Sequence, residues 1–413
     1  MKILKLATHD YLGAGKAALD SMTNTIGESK LLVLEKQSQN PNVIPVYRDS
    51  LGDRWLLHLR MRFQALIRYV RVYNPKYAFY DHQIEAASAK RILKRYGEVP
   101  DVIEVFWVSN FISFYTINRL YKLTGAHIIF IMTDDACFTG GCHYPWGCNG
   151  YKNNCSSCPA LKRNSHFASR ILRYKKKYLP DSVIVTGTTA DCMKVEESAL
   201  FKGKRVVPCV SITDSPFTFT KRAGREKWNI PNDKFVIFCG ASFLEEERKG
   251  FKLLSGACEK IISKRDMSDI VLLVAGQGKI EWPETLSVVE VGTLTSEELF
   301  MAFYTADLFV SPSVEDSGPM MVNYAFEADV PIVAFRTGVS IDLISHKNNG
   351  YLCEIGNIDD LKSGIEYCID HSMNLQKQII GCNENIRQYI REKKSYIKFL
   401  TQLIKNTNSN DNP

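Results

Sequence analysis

The sequence lacks a segment that could cross a membrane. No uninterrupted apolar run reaches about 18 residues, which is the length that a spanning helix requires. The first residues also lack the pattern of a secretory signal, because their short apolar stretch ends at His9 and Asp10. We therefore expect a cytoplasmic protein.

Repeats of the solenoid type are absent too, and biased composition is confined to residues 406–413. Hydrophobic residues make up 45% and charged residues 23% of the chain, which excludes a largely disordered or fibrous protein. At 413 residues the chain exceeds what one core usually supports, so we expect two domains. The net charge of +7 suits nucleotide phosphates, nucleic acid or an anionic bilayer without choosing among them.

Apolar runs of strand length alternate with helix-like stretches along most of the chain. This alternation predicts an α/β protein with doubly wound, parallel sheets. The alternation is interrupted by a Pro- and Thr-rich stretch near residue 210 and then begins again. This interruption predicts domains at 1–207 and 208–372, followed by closing helices at 373–405. The predicted strands are 2–6, 31–34, 102–108, 128–132, 183–185 and 206–207 in the first domain, and 235–238, 271–274, 288–291, 308–310 and 332–335 in the second.

Two glycines, Gly13 and Gly15, follow the first predicted strand and open a helix pattern. Glycine at that place lets the backbone approach a phosphate bound at a helix N-terminus. Only part of the G-x-G-x-x-G pattern is present, however, because Ala18 stands at its third glycine. A purely structural strand-to-helix turn explains the pair equally well.

A cysteine-rich insert occupies residues 137–159. Its spacing, C-x5-C-x6-C-x2-C over Cys142, Cys148, Cys155 and Cys158, can wrap four thiolates around one structural Zn²⁺. His143 and Cys137 are possible replacement ligands. Two disulfides, which a reducing compartment disfavours, and buried free thiols are the alternatives.

Two segments of the second domain carry candidate donor-site residues. Arg248 and Lys249 precede a glycine and a helix pattern, where two cations can neutralise a diphosphate leaving group, although a solvated charge run would look alike. Glu315 and Asp316 lie between a strand and a helix, where carboxylates accept hydrogen bonds from sugar hydroxyls or simply cap the helix.

Together these segments resemble the retaining glycosyltransferases of family four, which have the GT-B fold. Three stretches carry the resemblance: the Gly13 to Gly15 opening, residues 139–159, and residues 311–323. The last two are similar to a branch associated with capsule, O-antigen or exopolysaccharide assembly. The resemblance implies two facing Rossmann-like domains, with a nucleotide sugar bound in the cleft between them.

The resemblance also implies a role for each site residue. Arg248 and Lys249 would clamp the diphosphate, Glu315 would take part in catalysis, and Asp134 would lie on the acceptor side. The residues expected to contact the donor are Gly13, Gly15, Gly292, Thr293, Leu294, Asp316, Ser317, Gly318, Pro319, Met320, Met321 and Asn323. The implied partners are a UDP- or GDP-sugar donor and a lipid-linked glycan acceptor, and no nucleic acid.

Three positions depart from the family pattern. Asn323 stands where the second glutamate of the E-x7-E motif belongs, which puts ribose binding in doubt. The family's His-Asp pair is Thr133-Asp134 here, so the sequence offers no imidazole at that place. Ala241-Ser242 stands where the family has an arginine, so Arg248 would have to supply the positive charge of that residue. A catalytically impaired member of the family is an alternative.

The predicted reaction is a glycosyl transfer with retention, in which charge on the leaving diphosphate is stabilised by cations and helix N-termini. No Asp-x-Asp follows a strand, so we expect chemistry that is independent of a metal. A nucleotide-sugar epimerase and a zinc-containing interaction protein are the competing interpretations. Two basic, aromatic stretches, 60–73 and 170–178, predict peripheral contact with a membrane, although ordinary helices packed on a sheet explain the same pattern.

Overall fold

The computed structural model divides the chain into two compact units. Unit 1 is Met1–Cys209 with Tyr396–Pro413, and unit 2 is Val210–Ser395. The structure describes all residues except 24–25, 48–54, 56–58, 60–61, 64, 67–68, 71–73, 84, 211, 213–216, 319 and 411–413. The last helix returns to unit 1, so the closing helices expected at 373–405 are divided between the two units.

Unit 1 is built on a parallel sheet of seven strands in the order β3-β2-β1-β4-β5-β6-β7. The strands are β1 (Lys2–His9), β2 (Glu28–Glu35), β3 (Val43–Pro45), β4 (Val102–Val105), β5 (His127–Ile131), β6 (Val183–Gly187) and β7 (Arg205–Pro208). Its helices are α1 (Leu12–Asp20), α2 (Ala89–Tyr96), α3 (Phe114–Thr124), α4 (His166–Tyr178) and α5 (Thr189–Glu197), with α13 (Tyr396–Asn410) at the end of the chain.

Unit 2 has a parallel sheet of six strands in the order β10-β9-β8-β11-β12-β13. Its strands are β8 (Phe235–Phe243), β9 (Ile270–Gln277), β10 (Ser287–Gly292), β11 (Leu308–Ser311), β12 (Ile332–Phe335) and β13 (Gly350–Cys353). Its helices are α6 (Lys221–Lys227), α7 (Phe251–Ile262), α8 (Ser296–Thr305), α9 (Met320–Glu327), α10 (Ser340–Leu343), α11 (Ile358–Asp370) and α12 (Ser372–Lys393).

The predicted fold class is confirmed, because both units are doubly wound parallel sheets of the Rossmann type. The central strands are buried along nearly their whole length, as the continuous apolar runs of the sequence predicted. Strands β3 and β13 were missed, since they have only three and four residues and lie at sheet edges.

A buried ion pair joins the two central strands of the first sheet. Lys5 of β1 and Glu104 of β4 lie opposite each other in register, with Nζ and Oε2 2.7 Å apart and both side chains fully buried. The hydroxyl of Tyr396 donates to the other oxygen of Glu104 at 2.9 Å. This hydrogen bond and the buried side chains of Phe399, Leu400 and Leu403 hold α13 against the sheet of unit 1.

None of the helices in the described ranges is both long and apolar enough to cross a membrane.

Candidate functional site

The order of strands in unit 2 reverses between β8 and β11, which are adjacent at the centre of the sheet. In doubly wound sheets such a reversal leaves a crevice beyond the carboxyl ends of the strands, where ligands bind. The loop after β8 and the loop after β11 both lie at this edge. These loops carry the two segments that sequence analysis selected.

The two loops are fixed to each other by their backbones. The N–H of Val314 donates to the carbonyl oxygen of Arg248 at 2.9 Å. Gly250 has φ of 69° and lies so close to Pro312 that an added Cβ would be 1.9 Å from the carbonyl oxygen of Pro312. Glycine is therefore required at residue 250, because any side chain would push the two loops apart.

Both cations of the first loop converge on one carboxylate of the second. Lys249 Nζ lies 2.5 Å and Arg248 Nη1 3.2 Å from the same oxygen of Asp316, and Arg248 also pairs with Glu246 at 2.8 Å. Sequence analysis predicted the two cations as a pair but gave Asp316 a separate role on sugar hydroxyls. In the structure Asp316 is the anion with which both cations pair, and its contact with the donor stays a prediction.

The charge of Asp316 follows from these contacts. Burial opposes its ionisation, but Lys249 and Arg248 outweigh burial, and the N–H of Gly318 adds to their effect, so its pKa lies below the ordinary value. The carboxylate is therefore ionised at neutral pH. Asp316 and Glu246 together offset the charges of Arg248 and Lys249, so a phosphate that binds these cations competes with the two carboxylates for them.

The other predicted donor residues lie along the same edge. Helix α9 starts at Met320, next to Ser317 and Gly318, and Pro319 lies outside the described residues. Asn323 of α9 is buried, and its Oδ1 has no hydrogen-bond partner in the part of the chain that the structure describes. Such an orphaned acceptor is unusual inside a protein, so Asn323 has a bonding position left for a ligand.

Glu315 is half-buried in the same loop. Met321 packs beneath the end of β8, since its Cε lies 3.2 Å from where a Cβ of Gly240 would be. Gly292 ends β10, which lies two strands from β8, and Thr293 and Leu294 follow it. The amide of Gln277 donates to the hydroxyl of Thr293 at 3.2 Å.

In unit 1 the order of strands reverses between β1 and β4, and the Gly13-Gly15 turn follows β1 at this point. Gly13 has φ of 40°, a conformation that other residues avoid. A Cβ on Gly15 would lie 2.1 Å from Nδ1 of His9, so Gly15 lets α1 pack against that imidazole. The His9 ring stacks on Tyr11 at 4.5 Å and contacts Trp107 at 5.0 Å.

Asp134 has an imidazole partner that sequence analysis missed. Nδ1 of His143, from the cysteine-rich insert, lies 2.7 Å from Oδ2 of Asp134, and Nε2 lies 3.0 Å from the hydroxyl of Ser109. The indole N–H of Trp107 points at the same Nδ1 from 2.9 Å. The expectation that no imidazole is available here is therefore wrong.

One ring nitrogen cannot donate to Asp134 and accept from Trp107 together. Because a hydrogen bond to a carboxylate is the stronger of the two, the proton belongs on Nδ1, facing Asp134. The Trp107 N–H then stays available to an oxygen atom of a ligand. His143 could not have been found from linear spacing, since its position follows from the bridge between Phe79 and Cys142 that folds the insert back.

The alternative zinc ligands proposed from the sequence are engaged elsewhere. His143 pairs with Asp134, and the thiol of Cys137 lies 3.3 Å from the sulfur of Met132. No three His, Cys, Asp or Glu side chains of the described residues stand in metal-binding positions as they are. Cys142, Cys148, Cys155 and Cys158 nevertheless line one common cavity.

The two stretches predicted to contact a membrane differ. In 170–178, Lys175 of α4 is fully buried and donates to the carbonyl oxygens of Ala136 and Thr139, so its assignment to a surface was wrong. Within 60–73, residues 60–61, 64, 67–68 and 71–73 lie outside the described residues. The described apolar side chains in and just before this stretch are exposed: Trp55, Leu59, Phe63, Leu66, Tyr69 and Val70.

The chain is similar to known glycosyltransferases. Residues 233–371 match the family model "Glycosyl transferases group 1". A GDP-mannose-dependent alpha-mannosyltransferase of Corynebacterium glutamicum is 30% identical over 157 residues, which cover 36% of this chain and 35% of that protein. The chain spans between 25% and 60% of the length of the curated relatives that it matches.

Solved structures match over the whole chain. HepE of Anabaena in complex with UDP-glucose has a TM-score of 0.60 at 13% identity, covering 99% of this chain and 100% of that one. Sucrose-phosphate synthase of Thermosynechococcus elongatus has a TM-score of 0.59 at 13% identity, with both chains covered fully. The residues that match the glycosyl transferases group 1 model, 233–371, thus include the cation pair, its carboxylate and Asn323, on a chain with the GT-B fold.

Proposed function

We propose that the protein is a glycosyltransferase that takes its sugar from a nucleoside diphosphate sugar. The observation that carries this proposal is the convergence of Arg248 and Lys249 at the strand reversal of unit 2, within the segment that matches the family. Their charges suit a diphosphate, whose negative charge grows as the bond to the sugar breaks. The relatives and neighbours named above, a GDP-mannose enzyme and a UDP-glucose complex, support this donor class.

The reaction that we propose retains the configuration of the sugar. The bond between the anomeric carbon and the diphosphate oxygen breaks, and a bond from that carbon to the acceptor oxygen forms on the same face. The acceptor's proton passes to the departing phosphate. Arg248, Lys249 and backbone amides near Gly318 stabilise the leaving group, so we propose that no divalent metal is needed.

We further assign two groups to the donor. The orphaned Oδ1 of Asn323 accepts a hydrogen bond from a ribose hydroxyl, in the place of the carboxylate that the family pattern has there. Glu315, in the loop next to the cation pair, accepts hydrogen bonds from the sugar. The amide of Asn323 carries no charge, so it binds ribose more weakly than a carboxylate would.

We propose that unit 1 binds the acceptor, and that Trp107 and Asp134, at its strand reversal, are the residues nearest to it. A lipid-linked glycan fits the exposed apolar residues of the 55–70 region. Trp55, Leu59, Phe63, Leu66 and Val70 follow one another at intervals of three or four residues, which places them on one face of a helix. Arginines at 60, 62, 68 and 71 are interspersed in the sequence, so the occupant that we propose is an anionic bilayer.

The experiment that tests the enzyme activity is release of nucleoside diphosphate from a panel of UDP- and GDP-sugars, with a membrane lipid extract as acceptor source and with EDTA. We expect release with at least one donor and an undiminished rate in EDTA. Product formed from the donor alone, as an isomeric nucleotide sugar, would indicate an epimerase. No binding of any donor would indicate an interaction protein instead.

The membrane contact is tested separately by sedimentation with vesicles containing phosphatidylglycerol. The variant Phe63→Ser/Leu66→Ser should lose binding, whereas Ile380→Ser, which removes an equally exposed apolar side chain from unit 2, should bind as the parent does. If both variants bind the vesicles equally well, the proposed contact between the 55–70 region and a bilayer is wrong.

A further inference from the structure

The cysteine-rich insert brings four thiols to one enclosed space. Cys142, Cys148, Cys155 and Cys158 all line a cavity of about 20 Å³ beside Tyr77 and Phe79. A cavity of this size holds one water-sized particle, and its walls offer sulfur rather than oxygen atoms. We propose that the cavity binds a single Zn²⁺ ion through these four thiolates, independently of the function proposed above.

The backbone around the sulfur atoms supplies hydrogen-bond donors. The N–H of Gly150 donates to Sγ of Cys148 at 3.5 Å. The backbone at Ala160 and Leu161 acts to lower the pKa of Cys158, and the backbone at Gly140 acts to lower that of Cys155, in each case against the larger effect of burial. A neutral thiol gains little from such donors, whereas a thiolate gains much, so the loop is built to hold negative sulfur.

The conformation of the loop is costly without a ligand. Cys155 has φ of 51° and Trp146 has φ of 52°, in the left-handed region that residues other than glycine seldom occupy. These turns direct Cys148 and Cys155 into the same cavity. Strain of this kind persists where the surroundings fix it, and a metal bound by four side chains does so.

The four thiols are partly to fully buried, and the cation that acts on Cys155 is the buried Lys175. Burial raises the pKa of Cys142 and Cys158, and raises that of Cys155 to about 11. Nearby thiols add to the rise, as Cys155 and Cys158 do for Cys142. These shifts report the burial of the thiols, and the zinc assignment itself rests on the four cysteines that line one cavity.

Binding requires the side chains to move from the positions that they have in this structure, in which no three of them stand at metal-binding distance. Each of the four cysteines already lines the cavity, and a rotation about χ1 moves a sulfur atom without moving the backbone. Disulfides are absent among the cysteines described, so all four sulfur atoms are available. Four thiolates fill the tetrahedral shell of Zn²⁺, which makes the site structural.

The bound ion would hold the insert that delivers His143 to Asp134. His143 directly follows one ligand, Cys142, in the sequence. On the other side the insert is anchored by Lys175, which donates to Ala136 and Thr139. The metal therefore positions the imidazole of His143 and does not touch a substrate.

The test is the zinc content of the full-length protein, expressed in zinc-supplemented medium and measured by plasma mass spectrometry. We expect one Zn²⁺ per chain, released when a mercurial reagent modifies the thiols. Cys148→Ser and Cys158→Ser should each lose the ion. The matched control is Cys382→Ser, which removes a half-buried thiol of α12 and should keep one ion per chain.

If the serine variants do not fold, the parent protein still decides the matter. Exchange of the ion for Co²⁺ should give thiolate-to-cobalt charge-transfer absorption, and a strong chelator should lower the melting temperature. Folded protein with less than a tenth of an ion per chain would overturn the proposal. So would denatured protein with four thiols fewer than its twelve cysteines, since that result indicates two disulfides.

Discussion

Replacing Lys249 with alanine removes one of the two cations at the strand reversal of unit 2. Lys249 is the nearer partner of Asp316, and its side chain is 19% exposed, so a phosphate that enters the site can reach the ammonium group. A hydrogen bond to a charged group contributes about 1.5 to 3 kcal/mol. Because about 1.4 kcal/mol is tenfold in an equilibrium constant, the dissociation constant for UDP or GDP should rise roughly 10- to 150-fold.

Isothermal titration calorimetry with UDP and GDP measures this change. The matched control is Lys252→Ala, an exposed lysine three residues further on in α7, which should change the constant by less than about twofold. Arg248 keeps its contact with Asp316 in the Lys249 variant, so the fold should persist, as circular dichroism would show. Unchanged nucleotide affinity in Lys249→Ala would refute the reasoning.

Three further predictions concern the framework of unit 1. Gly15→Ala should lower stability by about 1–3 kcal/mol in chemical denaturation, because its Cβ would overlap His9; unchanged stability would contradict the geometry. Glu104→Ala leaves the buried Lys5 ammonium unpaired and should cost about 3–5 kcal/mol in the same measurement, whereas a loss below 1 kcal/mol would argue against burial. Burial and the neighbouring Asp135 raise the pKa of Asp191 to about 8. Between about pH 4 and 8 the folded chain therefore keeps a proton on Asp191 that the unfolded chain has lost. The free energy of unfolding falls as pH rises through this range. Asp191→Asn should weaken the dependence of the melting temperature on pH between pH 6 and 9. An unchanged dependence would show that Asp191 is not its cause.

Most of the fold could be predicted because parallel strands covered on both faces are continuous apolar runs. Residues 271–274 and 332–335, for example, correspond to β9 and β12. Short edge strands give a weaker signal, because β7 was predicted from two residues only, 206–207, and β3 and β13 were missed. The return of α13 to unit 1 rests on contacts distant in sequence, such as the hydrogen bond from Tyr396 to Glu104 across 292 positions, which no local pattern encodes.

The candidate site was predictable as a set of residue types but not as an arrangement. Arg248 and Lys249 were selected because cations before a helix suit phosphate. Their pairing with Asp316, across 67 and 68 positions, is a product of the adjacency of β8 and β11. Basic residues on a helix gave a misleading signal at Lys175, which is buried because two carbonyl oxygens accept its hydrogen bonds.

Transfer itself is the most direct measurement of the central claim. The parent protein and the Lys249→Ala variant would be incubated with UDP- and GDP-sugars and a membrane lipid extract, and nucleoside diphosphate and glycosylated lipid would be quantified by mass spectrometry. We predict equal amounts of both products from the parent, with the anomeric configuration of the donor kept, and a rate at least tenfold lower for the variant, in line with the lost phosphate contact. Absence of diphosphate release from every donor, or equal rates for parent and variant, would contradict the account.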